Sequence, residues 1–109
     1  MKTLNLEDEF NQFKRILKIL KNAGWRDPDR QFRQRWHGEM HLAATWGEWP
    51  DGDHAKVMHL NPVGARFSAK SGNGGYFDLW LNLDQPNSIE NFSHMAHLLA
   101  NGVPVKENK

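Results

Sequence analysis

The chain of 109 residues contains no cysteine. This absence excludes a disulfide framework, a thiolate metal site and a thiol nucleophile, and it suits a reducing compartment. The first residues, Met1 to Asn5, lead into an acidic stretch rather than into the apolar segment of a secretory signal. We therefore expect a cytoplasmic protein.

Long apolar runs and a large charge of one sign are missing as well. No stretch approaches the roughly 20 apolar residues that span a bilayer, so no membrane segment is expected. Lys and Arg number 14 and Asp and Glu 13, giving a net charge of +1. Bulk charge this close to zero does not indicate nucleic acid or a membrane surface as partner. The length predicts one domain over residues 1–109, with a polar tail from about residue 105.

Two segments have the periodicity of amphipathic helices. In residues 6–23 the apolar side chains fall on one half of a helical wheel, acidic residues occupy the first turn, and Gly24 is placed to cap the end. A second helix follows Pro86 and ends before Gly102. Each apolar stripe predicts a helix that packs against another element.

The region between the helices alternates apolar and polar residues, which is typical of β-strands. Residues 32–46 predict one long strand bent at Gly38, with its even positions buried. Residues 49–53 predict a turn, and further strands are expected near residues 55–60, 65–71 and 76–83. This order predicts an α+β fold: a three- or four-stranded antiparallel sheet with the N- and C-terminal helices packed on one face.

The other sheet face, here called the outer face, carries the candidate binding residues. They combine cations with aromatic rings and are Arg33, Arg35, Arg66, Lys70, Tyr76 and Trp80. The alternation does not fix which side of residues 55–60 faces outward: Lys56, Met58 and Leu60 are one possibility, and Val57 and His59 the other. Trp, Tyr and Arg are enriched at protein interfaces, whereas cations among aromatic rings also suit nucleic acid. A solvated face with cross-strand aromatic pairs is the plain alternative.

Histidines supply the candidates for metal binding and for catalysis. His37, Glu39 and His41 alternate on one strand and could offer ligands to a divalent ion, although neighbours on one strand face are about 6–7 Å apart. His37 or His41 could serve as a general acid or base in a small metal-independent ribonuclease. The sequence predicts no cofactor and favours binding over catalysis.

One stretch resembles a known family. The run from Leu17 to Trp25 resembles the start of the HicA-type toxins, and like them it is followed by strands and a closing helix. The similarity covers less than a quarter of the chain. That resemblance implies a small ribonuclease with a helix–sheet–helix fold like that of double-stranded-RNA-binding domains, in which His37 would stand for the catalytic strand histidine. The Gly-Ser-His-His stretch of that family is absent here.

The functional hypothesis from the sequence is a small non-enzymatic binding module. Its outer face would bind a macromolecule, with a protein partner preferred over nucleic acid and a ribonuclease as the enzymatic alternative. Homodimerisation through a sheet edge or through the Trp46–Trp49 region is a further possibility.

Overall fold

The computed structural model describes residues 6–60, 64–82 and 86–105. Within these ranges two helices flank an antiparallel sheet of five strands. The elements in chain order are α1 (Leu6–Asn22), β1 (Arg30–Trp36), β2 (Glu39–Gly47), β3 (His54–Leu60), β4 (Gly64–Lys70), β5 (Tyr76–Asn82) and α2 (Pro86–Leu99). The predicted α+β class with an antiparallel sheet is confirmed. The predicted number of strands is too low, because residues 32–46 form two strands instead of one.

Helix α1 ends in a cap that depends on Gly24, as predicted. The φ of Gly24 is 106°, in the left-handed region that favours glycine. The Trp25 N–H donates to the Leu20 carbonyl and the Gly24 N–H to the Lys21 carbonyl, each at 3.0 Å. These are the two bonds of a Schellman motif. The motif turns the chain so that Trp25 enters the core, where it is 1% exposed.

The sheet is a meander in which each strand pairs with the next one in sequence. His37 and Gly38 alone connect β1 to β2, and their φ angles are 49° and 82°. Positive φ at both central positions is typical of a tight type I′ hairpin turn. The prediction of one strand bent at Gly38 is therefore wrong: the chain reverses there, and Trp36 pairs with Glu39.

One side of the sheet, here called the core face, contributes to the apolar core. Ala44, Val57 and Phe67 are cross-strand neighbours on this side, and they share one buried cluster with side chains of both helices. The helix residues in the cluster are Phe13, Ile16 and Leu20 of α1 and Phe92 and Ala96 of α2. Each fully buried large side chain of this kind contributes about 1.5–3 kcal/mol to stability.

Two tryptophans pack together at one end of the core. The ring centroids of Trp25 and Trp46 lie 4.7 Å apart in an edge-to-face arrangement. The Trp25 indole N–H donates to the Ser93 hydroxyl at 2.6 Å, and that of Trp46 donates to the Arg26 carbonyl at 2.7 Å. Both buried indoles therefore have the partner that such a group needs.

The chain after α2 returns to the end of α1. Val105 forms a backbone bridge with Trp25, and the Arg26 N–H donates to the Pro104 carbonyl at 2.9 Å. Regular contacts thus extend to Val105, and the predicted polar tail beyond it lies outside the described residues. Neither α1 nor α2, the helices of the described ranges, is long and apolar enough to cross a membrane.

Candidate binding face

The strand register defines the outer face, because cross-strand partners point to the same side of a sheet. Its side chains alternate with those of the core face. They are Arg30, Phe32, Gln34, Trp36, Glu39, His41, Ala43, Thr45, His54, Lys56, Met58, Leu60, Arg66, Ser68, Lys70, Tyr76, Asp78 and Trp80. In β3, Lys56 and Met58 face outward and Val57 and His59 face the core, which resolves the alternative left by the sequence.

Arg33 and Arg35 do not lie on the outer face, and their predicted placement beside Trp80 is wrong. Arg33 pairs with Leu42 and Arg35 with Met40, positions that share a side with Ala44. The reason is the two-residue turn, which connects odd positions of β1 to even positions of β2. The other predicted binding residues, Arg66, Lys70, Tyr76 and Trp80, are on the outer face.

The turn also moves Trp36 onto the outer face, although the sequence predicted it to be buried with the core. Its ring centroid lies 5.0 Å from that of Trp80. These residues belong to the first and last strands, which a flat sheet would hold about 19 Å apart, four times the strand spacing. The sheet therefore curls towards this side, and the outer face is concave. Phe32 and Trp49 form a second ring contact, with centroids 5.4 Å apart.

The most prominent cation of this face is already neutralised. The Arg66 guanidinium donates to both carboxylate oxygens of Asp78, with an Nη2–Oδ2 distance of 2.6 Å. The Tyr76 hydroxyl donates to the same carboxylate at 3.2 Å, and the guanidinium carbon lies 5.7 Å from the Trp36 ring centroid. Partial burial and then the Asp78 charge raise the pKa of Tyr76, which keeps its hydroxyl a neutral donor. Such bidentate pairs are geometrically specific.

A lysine lies buried near the centre of the face. Lys56, on the middle strand, is 6% exposed, and its Nζ lies 5.1 Å from the centroid of the Trp49 ring. Burial, followed by repulsion from Arg66, lowers the pKa of Lys56 to about 8, against an opposing effect of Asp78. Within the described residues the ammonium has no hydrogen bond and no ion pair.

Other polar groups beneath the aromatic rings share this lack of a partner. Thr45, the cross-strand neighbour of Lys56, is fully buried, and its hydroxyl has no hydrogen bond within the described residues. The same holds for Nδ1 of His41 and for the side-chain oxygen of Gln34. A buried polar group without a partner costs about 1–3 kcal/mol. The outer face therefore carries several buried polar atoms that have no hydrogen bond within the described residues.

The buried polar groups of the core face are connected to each other and to α1. His59 is 0% exposed, and its Nε2 lies 2.9 Å from the side-chain oxygen of Gln12. Its Nδ1 lies 4.0 Å from Glu9, whose carboxylate is also 3.4 Å from Arg33. Burial lowers the pKa of His59 despite the opposing Glu9 charge, so the imidazole is neutral at pH 7. These contacts tie α1 to β1 and β3.

The predicted histidine sites do not come together. His37 lies exposed in the hairpin turn, with its ring 4.1 Å from that of Trp36, whereas His41 is 5% exposed behind it. His37, Glu39 and His41 form no metal-binding group, and the described residues contain no cluster of three His, Asp or Glu side chains able to hold an ion. Among the described residues, neither His37 nor His41 has a hydrogen-bonding partner that would orient its imidazole for acid–base catalysis.

A hollow of about 820 Å³ lies elsewhere, between the loops at one end of the sheet. Its polar lining is already engaged. Arg26 pairs with Asp29 and donates to the Val103 carbonyl at 2.9 Å, and this guanidinium is the main cause of the lowered pKa of Asp29. Asp53 accepts a hydrogen bond from Asn101 at 2.9 Å. These groups hold the loops together, so this hollow is not the candidate site.

Sequence reasoning missed Trp36, Thr45 and Trp49, and it left the side of Lys56 open. The one available signal was His37-Gly38. Glycine permits positive φ, and histidine is among the residues enriched there, so the pair fits a two-residue hairpin turn. If that turn is recognised, the even positions of β1 and the odd positions of β2 share one side of the sheet. This register places Trp36 on the outer face and Arg33 on the core face.

Comparisons with protein-family models, with curated proteins and with solved structures give no match to this chain. The resemblance to the HicA-type toxins is therefore not supported by a family match. A functional interpretation has to rest on the site itself.

Proposed function

We propose that this chain is a small non-enzymatic binding module that contacts a protein partner through the β5 side of its outer face. The observation that carries the proposal is the exposure of Tyr76 and Trp80, which are 55% and 54% exposed. Both lie on β5, an edge strand of the described sheet. Large aromatic side chains of this kind contribute most of the binding energy at many protein interfaces.

The charges of the outer face favour a protein over nucleic acid. Binding to phosphates needs cations that are free to replace counterions. Here Arg66 is paired with Asp78, Lys56 is buried, and Arg33 and Arg35 point to the other side of the sheet. The other described cations of this face are Arg30, over the Phe32 ring, and Lys70. Two such charges are few for a surface that binds a single-stranded nucleic acid through its phosphates.

The β5 edge offers a partner both hydrogen-bonding groups and an apolar surface. Beside it lies a hollow of about 380 Å³, lined by Tyr76, Phe77 and the α2 residues Met95, Leu98 and Leu99. Leu98 is 69% exposed. An edge strand presents unpaired backbone groups to which a second strand can add. We infer that the partner supplies an extended segment along β5.

The opposite edge of the described sheet has a different character. Strand β1 carries Arg30, Gln31, Arg33 and Arg35, and charged edge residues are a common protection against unwanted strand pairing. Strand β5 has no Lys or Arg, and its acidic residue, Asp78, is held by Arg66. This asymmetry supports β5 rather than β1 as the docking edge.

The proposal is tested by affinity capture from cells that express the protein, followed by a direct binding measurement with the captured protein. The partner should survive nuclease treatment, and Trp80→Ala should weaken binding by about 30-fold or more, the effect of losing a residue worth about 2 kcal/mol. Arg35→Ala is the matched control and should bind like the wild type. Light scattering shows whether the partner is a second copy of the chain.

Two results would overturn the proposal. Loss of the captured material on nuclease treatment would indicate nucleic acid as the ligand. Equal affinities of the Trp80→Ala and wild-type proteins for the captured protein would remove the outer face from the interface.

A further inference from the structure

The Lys56 side chain is 6% exposed, and its ammonium makes no ion pair or hydrogen bond with the described residues. Asp78 does not pair directly with Lys56. Its carboxylate already accepts the hydrogen bonds of the Arg66 guanidinium and of the Tyr76 hydroxyl. The remaining contact of Lys56 is with the Trp49 ring. A buried charge is expensive unless it is paired, so the centre of the outer face has one unit of positive charge to compensate.

The immediate neighbours of Lys56 are hydroxyl groups. Thr45 on β2 and Ser68 on β4 are its cross-strand partners, which places their Cβ atoms about 4.5–5.5 Å from that of Lys56. Thr45 is fully buried, with its hydroxyl unpaired within the described ranges. Ser68 is 7% exposed. An ammonium and two hydroxyls that start from adjacent strand positions are donors suited to a small oxygen anion.

We propose that Lys56 and Thr45 form a binding site for one carboxylate group, which an acidic side chain of the partner inserts beside the Trp49 ring. This inference rests on the proposed function, since it assigns a chemical group to the partner that docks on the outer face. One carboxylate matches the single uncompensated charge. A doubly charged phosphate would leave an excess negative charge beside the Trp49 ring, next to a largely buried side chain.

The first experiment uses the folded protein alone, with acetate as the probe and sodium chloride at equal ionic strength as the reference. Protein labelled with ¹³C at the lysine side chains allows the Lys56 pKa to be followed by NMR, and its signal is assigned by its absence in Lys56→Met. Acetate binds the protonated amine and should therefore raise the Lys56 pKa. At an acetate concentration tenfold above the dissociation constant the rise is about one unit.

Matched variants and probes make this measurement specific. Thr45→Val keeps the shape of residue 45 but removes its hydroxyl, so the acetate-dependent rise should shrink. The Lys70 signal serves as an internal control and should respond equally to acetate and chloride. Acetamide, the neutral isostere of acetate, should leave the Lys56 pKa unchanged.

The outcomes separate this inference from the proposed function. Equal Lys56 pKa values in acetate and chloride would overturn the carboxylate site, and so would a larger rise with inorganic phosphate than with acetate. Binding of the captured partner by Lys56→Met with unchanged affinity would overturn the inserted acidic side chain while leaving a Trp80-dependent interface in place. Failure of Trp80→Ala to weaken partner binding would instead remove the proposed function, whatever acetate does.

Discussion

Both faces of the sheet carry a pair of tryptophan rings and several buried polar side chains, but the two faces differ in how far the rings are covered. On the core face, Trp25 and Trp46 are each 1% exposed, and both indoles donate hydrogen bonds. On the outer face, Trp80 is 54% exposed and Trp36 is partly exposed, and the two rings contact each other. Side chains of both helices cover the Trp25 and Trp46 side of the sheet, whereas the rings of the outer face remain accessible, which is the basis of the binding function that we propose for them.

The polar residues differ in degree. On the core side, His59 and Glu9 each use one atom in a bond, to Gln12 and to Arg33, while His59 Nδ1 and Glu9 Oε2 have no hydrogen bond within the described residues. On the outer side, the buried Thr45 hydroxyl has no hydrogen bond within the ranges described, and Lys56, which is 6% exposed, makes none with its ammonium. Natural proteins leave few buried polar groups unpaired, and those that remain need a physical explanation. A ligand group is the explanation that we propose for Lys56.

The largest expected effect comes from truncating one tryptophan on each face. Trp25→Ala should reduce the free energy of unfolding by about 3–5 kcal/mol, because it leaves a cavity between Trp46 and Phe92 and removes the bond to Ser93. Trp80→Ala should cost only about 0.5–1.5 kcal/mol, the value of its ring contact. Urea unfolding followed by circular dichroism measures both. Similar losses for the two variants would contradict the distinction between the faces.

A second test uses the pH dependence of stability. The folded-state pKa of Lys56 is about 8 against an ordinary value of 10.5, so between these values the unfolded chain binds more protons than the folded protein. The free energy of unfolding should therefore rise as the pH increases from 8 to 10.5, by about 3 kcal/mol at most. Below pH 8 the penalty of the buried charge is fully present.

Lys56→Met isolates this contribution. Because the variant lacks the amine, it should be more stable than the wild type at pH 7, and the difference should fall between pH 8 and 10.5. Lys70→Met is the control for losing a lysine on the same face. A constant difference between Lys56→Met and wild type over this range would show that Lys56 is not buried as a charge.

The helices and the class of fold could be predicted from the sequence because local signals determine them. The apolar stripe of residues 6–23 and Gly24 at the C-terminal cap are contained within a few neighbouring residues, and the structure agrees with both. The strands near residues 64–70 and 76–82 were also predicted within about one residue, since glycine-containing turns bound them.

The candidate site was harder to predict because the alternation of apolar and polar residues does not show where the chain reverses direction. The pattern in residues 32–46 is equally compatible with one bent strand and with two strands joined by a tight turn. The two interpretations place Arg33 and Trp36 on opposite sides. The concave shape could not be predicted either, since the contact of Trp36 with Trp80 depends on the curl of the whole sheet.

The smallest expected effect tests this corrected register through two arginines. Arg66→Ala should lower the free energy of unfolding by about 1–2 kcal/mol, because it leaves the partly buried Asp78 carboxylate without its bidentate partner. Arg35→Ala should change it by no more than about 0.5 kcal/mol, since Arg35 is exposed and makes one long bond, 3.3 Å, to the Gly38 carbonyl. Urea titrations at one pH compare the two.

Adding Asp78→Ala to Arg66→Ala should recover part of the loss by removing the unpaired carboxylate. A cost for Arg35→Ala as large as that for Arg66→Ala would mean that Arg35 is also held in a structural pair, and it would contradict the exposed position of Arg35 in the structure.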